Sequence, residues 1–157
     1  MFLHNIFPPE FIKVDLESED KDEAFEELVD HLCQELHLNA REDILGALHE
    51  REAKMSTGIQ KGIAIPHGKT NAVDTVRGVL GISQKGVDYD ALDGEPVYLL
   101  FMMVAPLEDS EKHLRILKRL AELLENPQFY IDLQSQKDAA GAYKVISKYE
   151  DILTALD

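Results

Sequence analysis

Residues 97–106 (VYLLFMMVAP) form the longest uninterrupted apolar run in this chain, and that run limits the folds open to it. A helix that crosses a membrane needs roughly 18 or more consecutive apolar residues, so the run is too short to span a bilayer. Residues 97–104 also lack the alternation of apolar and polar residues that is typical of a strand with one solvent-exposed face. A continuously apolar strand is typical of the middle of a sheet covered on both faces. The sequence therefore predicts a layered fold around a central strand.

Amphipathic helices are predicted on both sides of this strand, because apolar residues recur there at three- and four-residue intervals. The predicted helices comprise residues 24–38, 40–54, 110–125 and, as one or two segments, 139–149 and 152–156. Suitable N-cap residues are Ser18 or Asp20, then Asn39, then Asp109 or Ser110. The face of the third helix predicted to be buried consists of Leu114, Leu117, Leu120, Ala121 and Leu124. Pro127 is expected to mark the end of that helix.

Three shorter strands are predicted from their alternating and β-branched residues. They comprise residues 11–16, 62–66 and 75–83. A turn-rich stretch, residues 86–95, separates the last of these from the central strand and contains the turn-forming pair Asp93-Gly94. Helices at both ends of a strand-rich middle predict an α/β fold. We expect a single domain over residues 1–157, with a mixed β-sheet of about five strands flanked by helices on both faces.

The charge balance argues against two classes of partner. Asp and Glu number 30 against 16 Lys and Arg, which gives a formal net charge of −14. Nucleic-acid binding depends on clustered Lys and Arg, and anionic membranes attract basic segments, so we expect neither. The single cysteine, Cys33, fits a reducing compartment, and the first residues, MFLHNIFPPEF, lack the features of a signal peptide. We therefore expect a cytoplasmic location without membrane insertion.

The segment most informative about chemistry is residues 55–70 (MSTGIQKGIAIPHGKT). Pro66 has no N–H to donate and tends to end a strand ladder, which places His67 at or just past a strand end. Ligand chemistry gathers at strand ends in open α/β sheets. A neutral imidazole can accept and return a phosphoryl group near neutral pH. The spacing alone favours an ordinary loop histidine.

This segment resembles the phosphorylation-site motif of fructose/mannitol-type (type 2) enzyme IIA domains of the bacterial phosphotransferase system. The family pattern is close to STGIGNGIAIPHG; here Gln60 stands where the family usually has glycine, and Lys61 occupies a variable position. The resemblance extends over essentially the whole chain and includes LHNI and Pro9-Glu10 near the start and SEKHLRILKRLAELL downstream. It points in particular to the nitrogen-regulatory members, which are single-domain proteins.

The resemblance implies that His67 is the phosphoryl acceptor, and that His113 and Arg51 help to hold the phosphoryl group. His113 falls in the first turn of its predicted helix, where the positive end of the dipole attracts anions. Spacing alone favours a partly buried core histidine at this position, and Arg51 is equally an exposed helix residue paired with an acidic neighbour. Possible further phosphate contacts are Ser56, Thr57 and Gly68, although Ser56 and Thr57 suit turn chemistry equally well. Lys69 is expected to face solvent or a partner.

Metal and cofactor chemistry are not expected. His4, His31, His37 and His49 show no ligand spacing among themselves, and no HExxH pair is present. A GxSxG elbow and a Walker A sequence are also missing, which argues against a serine hydrolase and against nucleotide hydrolysis. Transfer of a phosphoryl group between protein histidines needs only positioning and local positive or N–H electrostatics.

The resemblance implies a phosphorylated HPr-type carrier as donor, and it leaves more than one function open. In one, a stand-alone enzyme IIA is a phosphorylation-dependent regulatory protein that binds a target. In the alternative, a sugar-specific enzyme IIA passes the group to a cysteine of a separate IIB domain for uptake of fructose- or mannitol-type sugars. A third possibility is an interaction module that retains the motif without being phosphorylated. The acidic chain is expected to dock a basic or neutral patch on its carrier, with apolar residues of the segment 59–65 around His67 as the docking core.

Overall fold

The computed structural model describes residues 2–156, which contain six β-strands and six α-helices. The strands are β1 (Ile12–Lys13), β2 (Gly58–Gln60), β3 (Ile63–Ala64), β4 (His67–Lys69), β5 (Arg77–Val87) and β6 (Val97–Ala105). The helices are α1 (Leu3–Ile6), α2 (Lys21–Leu36), α3 (Arg41–Glu52), α4 (Ser110–Leu124), α5 (Pro127–Gln134) and α6 (Ala139–Leu156). Short 3-10 turns at Pro9–Phe11 and Leu107–Asp109 complete the described elements.

The apolar run forms β6, which lies in the interior of one mixed sheet of order β1-β5-β6-β3-β2. β6 pairs antiparallel with β5 and parallel with β3 and β4. Every residue of β6 except Tyr98 is buried, because its successive side chains enter two different cores. Helices α2 and α3 cover one face of the sheet, and α1, α4, α5 and α6 cover the other. The predicted fold class, with a mixed sheet of about five strands between helical layers, is confirmed.

β3 and β4 behave as one strand interrupted at Pro66. Ile63 pairs with Leu99 and His67 pairs with Met103, so both segments keep the same register along β6. The carbonyl of Pro66 still accepts a hydrogen bond from the N–H of Met103 at 2.9 Å. The prediction that residues 62–66 form a single strand with His67 at or beyond its end is therefore wrong. The missing N–H of proline interrupts the ladder, and pairing resumes at His67.

The N-cap of α2 lies where it was predicted, whereas the N-cap of α3 lies one residue later than predicted. Asp20 caps α2 as predicted, since its side chain accepts from the N–H of Glu23 at 2.9 Å. Asn39 does not cap α3; the N-cap position falls on Ala40, which makes no side-chain cap bond. The reason is that α2 closes with His37 in the left-handed conformation and with a bond from the Leu38 N–H to the carbonyl of Cys33. The turn residues that follow delay the start of α3.

The helices beyond β6 differ from the predictions in the cap of α4, in its buried face and in the presence of α5. Asp109 occupies the N-cap position of α4, but its side chain makes no cap bond. The buried residues of α4 are His113, Ile116, Leu120 and Leu123, whereas Leu114 is 68% exposed. Pro127 begins α5 instead of only ending α4, and the side chain of Asn126 caps it by accepting from the N–H of Gln128. An Asn-Pro pair is a start signal for a helix, because the ring of proline suits the first helical position.

The edge strands also differ from their predicted lengths. Of the predicted strand 11–16, Ile12 and Lys13 pair with β5 in the ladder, and Phe11 belongs to the 3-10 turn Pro9–Phe11. Leu16 adds one bond from its N–H to the carbonyl of Ile82 in β5, at 3.2 Å. β5 runs to Val87, beyond the predicted segment 75–83, since Val87 pairs with Val97 across an irregularity in the ladder. The C-terminal residues predicted to form one or two helices form the single continuous helix α6. Within residues 2–156, no helix is both long and apolar enough to cross a membrane.

Candidate functional site

The imidazole of His67 is oriented by its own backbone. Its Nδ1 lies 2.8 Å from the carbonyl oxygen of Ile65. A carbonyl can only accept a hydrogen bond, so this contact places the proton of the neutral ring on Nδ1. No hydrogen bond within residues 2–156 engages Nε2. The geometry therefore leaves the lone pair of Nε2 as the nucleophilic site of the ring.

His113 lies beside His67, although β4 and α4 are separate elements. The two ring centroids are 5.6 Å apart, and the ring planes are nearly perpendicular, at 87°. His113 is 2% exposed, and its Nε2 is buried without a hydrogen-bond partner in the described part of the chain. A buried polar atom without a partner is uncommon in folded proteins and marks a position where a further group can bond.

Both rings are held in the neutral form near pH 7. Burial lowers the pKa of His67, and the nearby charges of Arg51 and Lys69 lower it further against the opposing bond to Ile65. Burial lowers the pKa of His113 to about 4, with His67 and Lys69 contributing in the same direction. A neutral imidazole keeps one free lone pair and one N–H, which a phosphoryl acceptor and a hydrogen-bond donor respectively require.

Two clefts meet at His67. The first, of about 570 Å³, lies between α3 and β4, and its charged and polar lining includes His67 together with Glu50, Arg51, Lys54 and Lys69. The second, of about 470 Å³, lies between β4 and α4, and its lining residues are His67, Lys69, Ser110, Glu111, His113, Leu114 and Leu117. Three cations beside the histidine, in a chain with a net charge of −14, make this site locally favourable for an anion.

Arg51 is placed beside the same cleft by the end of α3. Its guanidinium donates a hydrogen bond to the carbonyl of Met55 at 2.8 Å, which orders the chain as it leaves the helix. No carboxylate of residues 2–156 lies within 4.0 Å of it, so the alternative of an arginine paired with an acidic neighbour has no support here. The remaining N–H donors of a guanidinium suit the oxygens of a phosphoryl group.

The other predicted contact residues are engaged in the fold. The hydroxyl of Thr57, a residue 3% exposed, donates to Glu52 and lies 2.6 Å from the hydroxyl of Tyr89. The Ser56 hydroxyl accepts from the N–H of Gly58 at 3.2 Å. These contacts match the turn-chemistry interpretation of Ser56 and Thr57.

Gly68 has a packing role. A Cβ at this position would lie 2.7 Å from the carbonyl oxygen of Ala47, so glycine allows α3 to lie directly against β4. That close approach sets the side of α3 that carries Arg51 next to the strand that carries His67. Gly68 thereby shapes the first cleft through its backbone.

Three residues at or behind the site are not predicted from the sequence: Lys54, Glu52 and Tyr89. Lys54 follows α3 without any spacing signal, and Tyr89 reaches Thr57 only through the folded chain. Within the segment 59–65, expected to supply an apolar docking core around His67, Ile63 and Ala64 are buried in the core, whereas Ile59 is 44% exposed. The exposed leucines that line the clefts come from elsewhere in the chain: Leu107 is 59% and Leu114 is 68% exposed.

In residues 2–156, no group of three or more His, Cys, Asp or Glu side chains is arranged to hold a metal ion.

Residues 5–149 match the family model described as "Phosphoenolpyruvate-dependent sugar phosphotransferase system, EIIA 2". The chain is 36% identical over 139 residues to the fructose-specific EIIABC component of Bacillus subtilis strain 168, which covers 88% of this chain and 22% of that protein. The chain thus spans about a fifth of the length of that relative. It is also 30% identical over 147 residues to a nitrogen regulatory protein of Bradyrhizobium diazoefficiens, covering 94% of this chain and 95% of that one.

A solved structure shows the same fold at full length. The crystal structure of the nitrogen regulatory protein IIA-Ntr from Neisseria meningitidis superposes with a TM-score of 0.84 at 30% sequence identity. The superposition covers 92% of this chain and 98% of that one. The likeness therefore includes both helical layers and the sheet between them.

Proposed function

Since this chain belongs to the EIIA 2 family of the phosphoenolpyruvate-dependent sugar phosphotransferase system, we propose that it is a phosphocarrier whose His67 accepts a phosphoryl group from a phosphorylated HPr-type protein. Residues 1–157 form one such phosphocarrier domain, and it works in the cytoplasm. The observation that carries the proposal is the hydrogen bond from Nδ1 of His67 to the Ile65 carbonyl, which leaves Nε2 as the nucleophile.

In the transfer step, the lone pair of His67 Nε2 forms a bond to phosphorus while the P–N bond to the donor histidine breaks. The electron pair of the broken bond stays on the donor nitrogen. The proton on Nδ1 of His67 remains shared with the Ile65 carbonyl, and this contact offsets the positive charge that develops on the ring. The step balances without a metal, because the phosphoryl group keeps its own charge as it moves, and the positive charge gained by the ring of His67 is lost by the ring of the donor histidine.

Two sets of groups stabilise the transferring phosphoryl group. Arg51, Lys54 and Lys69 supply positive charge from the first cleft, and the buried Nε2 of His113 supplies an N–H from the second. Donors held in place before the reaction contribute more than solvent does, since they need no reorganisation. The phosphoryl oxygens would in turn give the unpartnered Nε2 of His113 its missing bond.

Replacing His113 by alanine is expected to slow phosphorylation of His67 by about 10²-fold, the typical effect of removing one preorganised donor, and to shorten the lifetime of the phosphohistidine. The rate of label transfer from phosphorylated HPr and the decay of the label at fixed pH provide the measurement. Lys118→Ala, a change at an exposed residue of the same helix that lines neither cleft, controls for surface perturbation of α4. An unchanged rate and lifetime in H113A would exclude the role.

The biological role that we propose is phosphorylation-dependent regulation of a target protein. Near-complete mutual coverage with a nitrogen regulatory protein supports it. A phosphoryl group adds a charge of about −1.5 to −2 at pH 7, on a surface where Leu107 and Leu114 are exposed. A target that packs on this apolar, locally basic surface would be repelled by the modified form.

The test of regulation is partner capture by three forms of the protein: wild type, H67A and H67D. H67A stays in the unmodified state, and H67D places a permanent negative charge at the site. Regulation predicts that the unphosphorylated wild type and H67A retain one partner that H67D loses. Equal capture by all three forms would exclude a phosphorylation switch.

Sugar uptake is the second candidate function, and the 36% identity to a fructose-specific EIIABC component favours it. In this case the phosphorylated His67 passes its group to a cysteine of a separate IIB domain. Label that moves from the phosphorylated protein to a IIB domain and then to fructose would support uptake. Label retained on His67 in the presence of that domain would support regulation.

A further inference from the structure

We infer that Glu52 and Thr57 are positioning residues for His67, acting through the backbone of Ile65. Neither touches the imidazole. They hold the peptide whose carbonyl fixes the proton of the ring on Nδ1. The consequence for phosphoryl transfer rests on the function proposed above, whereas the effect on the ring itself does not.

The first link is a buried carboxylate at the end of α3. Glu52, whose side chain is 6% exposed, accepts from the N–H of Thr57 at 2.8 Å and from its hydroxyl at 2.6 Å. Lys21, from the first turn of α2, lies 3.2 Å from the same carboxylate. Burial alone would raise the pKa of Glu52, but the bonds from Thr57 and Lys21 lower it, so the group stays ionised. An ionised acceptor holds its donors about twice as strongly as a neutral one.

Tyr89 completes this anchor. Its hydroxyl lies 2.6 Å from the Thr57 hydroxyl and 3.3 Å from the carboxylate of Glu52. Because the Thr57 hydroxyl has one proton and donates it to Glu52, the Tyr89 hydroxyl donates to Thr57. Tyr89 is fully buried, and its ring contacts the ammonium of Lys21 and, edge to face, the ring of Phe25. Thr57 is therefore fixed by both its N–H and its hydroxyl.

The second link runs through the main chain to the site. The carbonyl of Thr57 accepts from the N–H of Ile65 at 3.0 Å, and the carbonyl of Ile65 accepts from Nδ1 of His67 at 2.8 Å. A continuous series of hydrogen bonds thus connects the carboxylate of Glu52 with the imidazole. On its other side, the same segment is held by the bond from Met103 to the carbonyl of Pro66. Only the connection through Thr57 depends on side chains.

The chemical importance of this series lies in the tautomer of His67. If the Ile65 carbonyl turns away, nothing in the described structure holds the proton on Nδ1. The proton can then move to Nε2, and the nitrogen proposed as nucleophile loses its lone pair. Loosening Thr57 should therefore change which nitrogen carries the proton, while a general loss of stability would not.

The experiment compares four variants by ¹⁵N NMR of the His67 ring and by the rate of label transfer from phosphorylated HPr. Thr57→Val keeps the shape but removes the hydroxyl, and Thr57→Ser restores it. Tyr89→Phe removes only the outer hydroxyl, so it provides a milder form of the same change if T57V is poorly folded. Tyr149→Phe is the matched control. The hydroxyl of Tyr149, on α6, also donates to a carboxylate, that of Asp132 on α5, but this pair is not part of the series that leads to His67.

T57V is expected to convert a substantial share of His67 to the tautomer with the proton on Nε2 and to slow phosphorylation about tenfold, on the scale expected for a small misplacement of a reacting group. T57S and Y149F should retain the wild-type tautomer, and Y89F should show a smaller shift. A folded T57V or Y89F in which His67 keeps its proton on Nδ1 overturns the inference. A tautomer shift in T57V together with a wild type that accepts no phosphoryl group would uphold the positioning role and refute the proposed function.

Discussion

Replacing His67 by alanine is expected to reduce phosphoryl acceptance from phosphorylated HPr to background. The reason is that a covalent bond to phosphorus needs a lone pair, which we propose Nε2 of His67 supplies, and alanine offers no nucleophile in its place. Arg51 and Lys54 still attract the anion, but an arginine or a protonated lysine cannot accept the group. The measurement is incorporation of acid-labile phosphate, followed by the mass of the intact protein.

His31→Ala is the matched control for this change. His31 lies on α2, its ring contacts the carbonyl of Glu10, and it lines neither of the two clefts. This variant should incorporate label as the wild type does. Label in H67A equal to that in H31A would show that another residue is the acceptor. A wild type without label would favour the interaction module that retains the motif without being modified.

The central part of the fold follows from local sequence patterns. A continuous apolar run can be satisfied only where both faces of a strand are covered, and β6 is placed accordingly. The Asp20 cap and the apolar spacing that follows it likewise predict α2 from short-range physics alone. These features depend on residues within a few positions of each other, so the sequence is sufficient to identify them.

The predictions are wrong where contacts between residues far apart in the sequence determine the structure. The predicted stripe of α4 includes Leu114, but the helix turns His113 inward beside His67 and leaves Leu114 exposed. Helical spacing alone permits either orientation, because both sets of residues recur every three or four positions. The return of strand pairing at His67, after the interruption at Pro66, likewise depends on Met103, whose N–H bonds the carbonyl of Pro66.

In the candidate site, too, some residues follow from a local motif and others are identified only from contacts in the folded chain. The motif predicts His67, and the resemblance to a known family adds His113 and Arg51, whose roles remain predictions. The hydrogen bonds from Glu52 through Thr57 to Ile65 carry no spacing signature, and Tyr89 joins them from a different part of the chain. Only the folded geometry distinguishes a threonine that contacts phosphate from one that holds the loop behind the histidine.

Replacing Glu150 by glutamine is expected to lower the free energy of unfolding by about 3 kcal/mol, the scale on which breaking a buried ion pair destabilises a protein. Glu150 is 1% exposed and accepts from Arg119 and from the N–H of Leu3, both at 2.7 Å, and from the N–H of His4 at 2.8 Å. It thereby ties α1, α4 and α6 together. An amide turns one acceptor into a donor that faces other donors, and it leaves Arg119 without its carboxylate.

The pH dependence of this contribution follows from the sign of the pKa shift. Burial alone would raise the pKa of Glu150, but the bonds from Arg119, His4 and Leu3 lower it. The folded state therefore favours the ionised form. The stabilisation is fully present above the usual carboxyl pKa, and it is lost as the pH falls through the lowered value. The difference between wild type and E150Q should accordingly be largest near neutral pH and narrow in acid.

Thermal unfolding at pH 7 provides the measurement, with a decrease of about 6–12 °C expected in Tm for a chain of this size. Glu111→Gln is the control, because Glu111 is 90% exposed and its contact with Arg115 is 3.9 Å long. Exposed pairs contribute only about 0–1 kcal/mol. An E150Q protein that melts together with E111Q would show that the cluster around Glu150 does not stabilise the fold. Below its Tm, E150Q should still accept a phosphoryl group while H67A melts as the wild type does, because Glu150 holds the helical layer and His67 is the residue proposed to accept the group.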